Sequence, residues 1–211
     1  MKASSMLGIW LRARFSVAGL LRDRSGIAAA EFAMIVPIML VMFFGTVEFS
    51  SAVAVDRKVT LVARTLSDLT SQALLNVNDT YLQNVFTASI AIMVPYPAVP
   101  TNAQISEIYV DSSSVARITW SKGATITAAA TQATLGPSSR NPGDTITIPS
   151  ALLVRQTYLI LSEVSYNYKP TIGYVMAAAG VNLSDVAYTR PRQSTCIYYN
   201  NLPATPNCPT P

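Results

Sequence analysis

The sequence predicts an α+β fold: one long N-terminal helix, apolar in its first half and amphipathic in its second, packed on a small antiparallel sheet. Three observations predict it. Residues 27–47 read IAAAEFAMIVPIMLVMFFGTV, with Glu31 as the only ionisable side chain. Beyond them Val55, Val59, Val62, Leu66, Leu69 and Ala73 recur at spacings of 4, 3, 4, 3 and 4, which draws a single apolar stripe on a helix. Past a proline-rich stretch at 95–100 the helical period gives way to alternating, β-branched and aromatic segments.

Taken in order, the apolar run is long enough to cross a bilayer: twenty-one helical residues rise about 31 Å, close to the hydrocarbon thickness. Pro37 would break a helix in water but is tolerated in a membrane helix. The helix is expected to continue to about Leu75, with Asp56, Arg57, Lys58, Arg64 and Asp68 mostly off the apolar stripe. Three heptads are too few for a convincing coiled coil, so the stripe should pack on the chain's own sheet. Asn76-Val77-Asn78-Asp79 ends this rod, and Asp79 is placed to cap a second helix near Thr80–Met93. A linker follows at 95–100. Ile105–Asp111 and Val115–Ser121 flank Ser112-Ser113-Ser114 as a hairpin, with Ala116, Ile118 and Trp120 alternating onto one face. Ala124–Asp144 reads as a long surface loop with some helix. Gln156–Tyr168 and Leu183–Arg190 read as two further strands. The organisation is a basic leader (1–26), a membrane helix (27–47), an α+β domain (48–195) and a Cys/Pro-rich tail (196–211).

Charge assigns compartments. Lys2, Arg12, Arg14, Arg22 and Arg24 face only Asp23 before Gly26, and the remainder carries ten basic and ten acidic side chains, so the net +4 belongs to the leader. That placement excludes a basic nucleic-acid-binding face and instead predicts a cytoplasmic N-terminus, with everything after Val47 outside the cytoplasm. Leu7, Trp10, Leu11, Phe15 and Leu21 suit a short basic amphipathic helix on the inner leaflet or an unstructured leader. Only 12% of residues are charged and there is no histidine, which removes the commonest general base and zinc ligand. The two cysteines, Cys196 and Cys208, are a poor metal site. In an oxidising compartment they would close a disulfide, the alternative being two free thiols in a frayed end.

Glu31 has two readings. It can snorkel to the inner headgroups, or it can serve processing and assembly, because Gly26 lies five residues before it and Phe32 follows. This G-x-x-x-x-E-[FY] pattern, set between a basic leader and an apolar run, resembles the cleavage site of type IV prepilins and pseudopilins. The resemblance implies removal of the leader after Gly26 by a prepilin peptidase, a mature N-terminus at Ile27, and Glu31 answering the new amino group. A competing small-x-small site for signal peptidase occurs at Ala52-Val53-Ala54, and an uncleaved anchor is a third possibility.

A second resemblance covers residues from about 20 to about 195. Arg22-Asp23-Arg24-Ser25-Gly26, Ala29-Ala30-Glu31-Phe32-Ala33 with Pro37, Glu163-Val164-Ser165-Tyr166-Asn167-Tyr168-Lys169-Pro170 and Tyr188-Thr189-Arg190-Pro191-Arg192 are together similar to the TadE/TadG family of tight adherence (Tad, or Flp) pilus assembly proteins. That resemblance implies a pilin-like fold and a pseudopilin or minor pilin of a bacterial inner membrane. Its partners would be the membrane, a prepilin peptidase, other Tad components and pilin subunits. No phosphate-binding Gly-x-x-x-x-Gly-Lys-Ser/Thr run occurs, so any motor is another protein. The chain is not expected to be an enzyme: no nucleophile and base stand at a recognisable spacing, and Ser121 and Lys122 point to opposite faces of a strand. No cofactor, metal, nucleic acid or small-molecule substrate is expected. The rival reading is a signal-anchored periplasmic binding domain that joins no filament.

Overall fold

The computed structural model describes residues 26–99, 101–127, 132–170 and 180–200. The chain divides into two compact units, Met1–Val47 and Glu48–Pro211. In the first, the described residues are Gly26 and the opening part of helix α1 (Ile27–Ser71), which contains Pro37. The second is an α+β domain.

In that domain α1 buries Val55, Val59, Val62, Ala63 and Leu66 completely, while Leu69 is half-buried against the same core. The expected stripe is therefore the packed face, widened by small polar residues. Ser67 and Thr70 are also fully buried, and Ser162 on the facing strand donates to Ala63 O at 2.5 Å. Small side chains here let helix and strand approach closely enough for a side chain to reach a backbone carbonyl. The helix stops at Ser71 rather than Leu75. Gln72 and Ala73 donate back to Leu69 O and Thr70 O, which tightens the last turn, and Arg192 N–H takes the carbonyl of Ser71 at 2.9 Å.

A two-residue strand β1 (Asn76–Val77) leads into α2 (Asp79–Ile90). The cap of α2 is Asn78, not Asp79: Asn78 Oδ1 accepts from Tyr81 N at 2.8 Å, as an N-cap side chain does for an otherwise orphaned amide. Asp79 instead accepts the hydroxyl proton of Tyr199 and lies 3.8 Å from Lys122 Nζ. A 3-10 turn, Ala91–Met93, closes α2. There Lys58 Nζ, on α1, donates to Ile92 O and Val94 O, each at 2.8 Å, placing a cation where helix carbonyls are left over.

The main sheet is antiparallel, in the order β4-β3-β2-β5-β6. Its strands are β2 (Thr101–Val110), β3 (Ala116–Thr125), β4 (Thr134–Gly136), β5 (Thr157–Tyr168) and β6 (Val181–Thr189). The β2–β3 hairpin closes over Asp111, whose Oδ1 accepts from Ser113 N and Val115 N, with Ser114 at φ 63. One expectation fails inside this hairpin. The register steps from Ile108↔Ile118 to Glu107↔Trp120, leaving Thr119 as an extra residue in β3. That bulge reverses the alternation, so Ala116 and Ile118 face one core while Trp120 faces the other. The region 124–144 also differs from the expected loop with some helix. Strand β3 runs on through Thr125, β4 adds an edge strand, and the described residues there contain no helix. The following turn lies so close to β3 that a Cβ at Gly123 would stand 2.6 Å from Pro137 O.

Each face of the sheet has its own core. Ala103, Ile105, Trp120, Ile160, Val164, Tyr166 and Tyr168 meet α1 and α2, whereas Ile108, Val110, Ile118, Leu159 and Leu161 are covered by Ile146, Ile148, Leu152 and Leu153. A last strand, β7 (Tyr198–Tyr199), pairs in parallel with β1.

Glu107 secures that last segment. It is fully buried, accepts Ile197 N–H at 2.6 Å and the Thr119 hydroxyl at 2.7 Å, and Trp120 Nε1 donates to Ile197 O at 2.7 Å. Burial raises its pKa from 4.5 to about 7, against the opposing pull of the Ile197 amide and the Thr119 and Trp120 side chains. The folded chain therefore holds an extra proton between about pH 4.5 and 7. The resulting stabilisation, on the order of 3 kcal/mol at most, is complete below pH 4.5 and lost as pH rises through 7. Glu107→Gln keeps an acceptor for Ile197 and removes the buried charge. Its thermal midpoint in detergent at pH 8 should exceed that of the unsubstituted chain, and its pH dependence between 5 and 7 should flatten. A lower midpoint at pH 8 would show that the ionised carboxylate is what the fold uses.

Candidate functional site

The candidate site is the opening of α1. Gly26 forms the turn before the helix, its carbonyl accepting Ala30 N–H at 3.0 Å. Among the described residues, nothing lies within 4 Å of a Cβ built on Gly26. The local fold therefore has no steric need for glycine there. Ile27 is the first helical residue, and Glu31 and Phe32 follow on the next turn, both exposed. Gly26, Ile27, Glu31 and Phe32 are thus brought together by local helical geometry. The leader, 1–25, lies outside the described residues.

The stretch after Glu31 sets the physical problem. Thirteen large apolar side chains from Ile27 to Phe49 are exposed, Phe32 by 68% and Met34 by 73%. At about 1.5 kcal/mol or more for each, leaving them in water costs on the order of 20 kcal/mol, more than the usual stability of a domain. They need a solvent other than water. By length and composition α1 can cross a membrane: its most apolar window has a mean hydropathy of 2.3 and is buried nowhere against the chain. On the same helix, Thr46 donates its hydroxyl to Met42 O at 2.8 Å.

Immediately beyond Val47 the environment changes. Glu48 is buried, and Tyr168 Oη donates to its Oε2 at 2.8 Å. Burial, reinforced by that hydrogen bond and by the carboxylate's charge, pushes the Tyr168 phenol up to about 12. Glu48 was not among the residues read as functional from the sequence. Its signal was available: a second acid ending the apolar run, 120 positions from a tyrosine that closes a strand.

The downstream motifs prove to be packing devices. In Glu163-Val164-Ser165-Tyr166-Asn167-Tyr168, Val164, Tyr166 and Tyr168 point to the α1 face and are buried. Glu163 points to the other face, where Arg140 grips it through two hydrogen bonds of 2.6 Å and Gln104 adds a third. Burial alone would raise the Glu163 pKa, but these contacts outweigh it and lower the value. In Arg190-Pro191-Arg192, Arg192 pairs with Asp68 on α1 and caps Ser71.

Cys196 is fully buried beside Tyr109, Tyr158 and Tyr198, whereas Cys208 lies outside the described residues. Mass analysis of the exported protein under non-reducing conditions should show one Cys196–Cys208 link; two alkylatable thiols in fresh material would exclude it.

A family model described as TadE-like protein matches residues 26–67. The match opens on Gly26 and takes in Ile27, Glu31, Phe32, Pro37, the apolar run and most of the α1 stripe. No curated protein and no solved structure matches the chain.

Proposed function

We propose that this TadE-like chain is a single-pass component of the Tad pilus machinery of a bacterial inner membrane. It acts as a pseudopilin or minor pilin, structural rather than catalytic. The observation that carries this reading is the coincidence of three features in one segment: the family match begins at Gly26, the helix begins at Ile27, and the apolar run that follows is unburied among the described residues. A glycine that the local fold does not require is what a peptidase recognition position looks like. Prepilin peptidase would remove the leader there, and Glu31 would meet the new amino group of Ile27 on the same or a neighbouring subunit. A buried carboxylate in lipid favours such a pairing over isolation.

In this mechanism the helix stays in lipid until assembly and is then transferred against neighbouring helices. Apolar surface exchanges one apolar environment for another, so the net change is small and subunit contacts together with an external motor set its direction. The head, inert toward small molecules, would supply the lateral contacts. The competing signal-peptidase site at Ala52-Val53-Ala54 lies within continuous helix, with Val55 fully buried in the core, which disfavours the extended conformation a peptidase needs.

Sequencing the N-terminus of the membrane-purified protein tests the proposal. A start at Ile27 that depends on prepilin peptidase supports it. A start at Val55 means a released domain, and an intact chain favours an envelope-anchored binding domain outside any filament. Glu31→Ala should leave membrane insertion unchanged and reduce surface pili; normal piliation would remove Glu31 from the mechanism.

A further inference from the structure

The main sheet protects one of its two edges and leaves the other open. On the β3 side, β4 pairs with Gly123–Thr125. Further along, Ile118 N–H takes Asp144 O, Gly143 N–H takes Ile118 O and Ile146 N–H takes Ala116 O. On the other side, β6 pairs only with β5 among the described residues. It is nine residues long, runs without a bulge and contains neither proline nor lysine, so it lacks the usual devices that blunt an exposed edge. Val186 N–H turns away from β5 to Asp185 Oδ1 at 2.8 Å, and by antiparallel alternation the backbone groups of Ser184 and Tyr188 face the same way.

An open groove of about 570 Å³ lies between Arg64, Thr65 and Asp68 of α1 and Val186–Thr189 of β6. Successive strand residues point to opposite faces, so four consecutive ones line a groove only where it borders the edge of the strand. Asp68 is neutralised there by Arg192. Among the described residues no hydrogen bond or ion pair engages Arg64. Asp185, the one charge on β6, comes before this stretch and is spent on Val186. The groove thus sets one uncompensated cation beside a row of open backbone groups.

We infer that β6 accepts an added strand from a partner protein, an extended acidic segment whose backbone continues the sheet and whose carboxylate pairs with Arg64. In strand addition the main chain supplies affinity and a neighbouring pocket supplies specificity, and here that pocket selects negative charge. The acid comes from another protein because this chain has none free on an extended segment. Among the described residues, Glu107, Asp111, Asp144, Glu163 and Asp185 are engaged by Ile197, Ser113, Asn141, Arg140 and Val186 respectively. The head's segments 128–131, 171–179 and 201–211 contain no acid at all. This inference does not depend on the membrane reading of α1 or on cleavage at Gly26.

The test uses the full chain in detergent and two nonapeptide probes with acetyl and amide ends. Each alternates threonine and valine around a central glutamate or a central glutamine, a repeating background that lets the peptide slide until its centre meets Arg64. Fluorescence anisotropy should show the glutamate probe binding up to about fivefold tighter, the worth of an exposed ion pair. Hydrogen–deuterium exchange of 181–189 should slow when either probe is bound. Arg64→Gln should make the two affinities equal while leaving that protection in place. Equal affinities for the unsubstituted chain overturn the acidic partner, and no binding, or protection that misses 181–189, overturns strand addition. A concentration-dependent dimer that protects 181–189 without peptide would make a second copy the occupant and overturn the inference as well.

Discussion

The constraint on which everything else depends is that α1 must satisfy two different solvents along one helix. Through Val47 its large apolar side chains are exposed among the described residues; from Glu48 onward its stripe lines the core of the domain. A helix of 45 residues can do both because helical hydrogen bonding is internal and indifferent to what surrounds it. Only the side chains have to change, and they change at a buried carboxylate held by Tyr168. The proposed membrane anchoring, processing at Gly26 and transfer into an assembly all start from that division.

The head is organised to hold this helix and to tie in its own C-terminal segment. Small polar residues on α1 allow close contact with β5, Lys58 joins α1 to the end of α2, and Arg192 joins it to the segment after β6. Glu107, Thr119 and Trp120 then pin Ile197, and the Lys122 ammonium stands 4.7 Å from the centre of the Tyr199 ring. Polar groups buried this completely are costly unless paired. Their pairing here links elements remote in sequence and makes the segment through Tyr199 part of the domain.

Much of this was legible in the sequence, for identifiable reasons. The stripe from Val55 to Ala73 is periodic and packs as a stripe; the β-branched and aromatic run Gln156–Tyr168 reads as a strand and forms β5. What escaped was non-local or aperiodic. The bulge at Thr119 adds one residue to an otherwise regular alternation, and nothing in the spacing announces that Trp120 has changed faces. The β1–β7 pair joins two-residue strands more than a hundred positions apart, too short to show a period. Asn78 and Asp79 are both good caps, and only the geometry of Tyr81 N decides between them. Glu107 could have been found, since it falls in phase with Ile105 and Tyr109. The local arrangement at the start of α1 was also legible, because Gly26, Ile27, Glu31 and Phe32 fall within two helical turns and the helix alone arranges them.

The central claim is that α1 carries the head across the bilayer. The direct measurement is labelling of Ser113→Cys, at the exposed tip of the β2–β3 hairpin, with a membrane-impermeant maleimide in intact spheroplasts, against the unsubstituted chain as background. The account predicts labelling without lysis. Labelling that appears only after the spheroplasts are broken would place the head in the cytosol and contradict it.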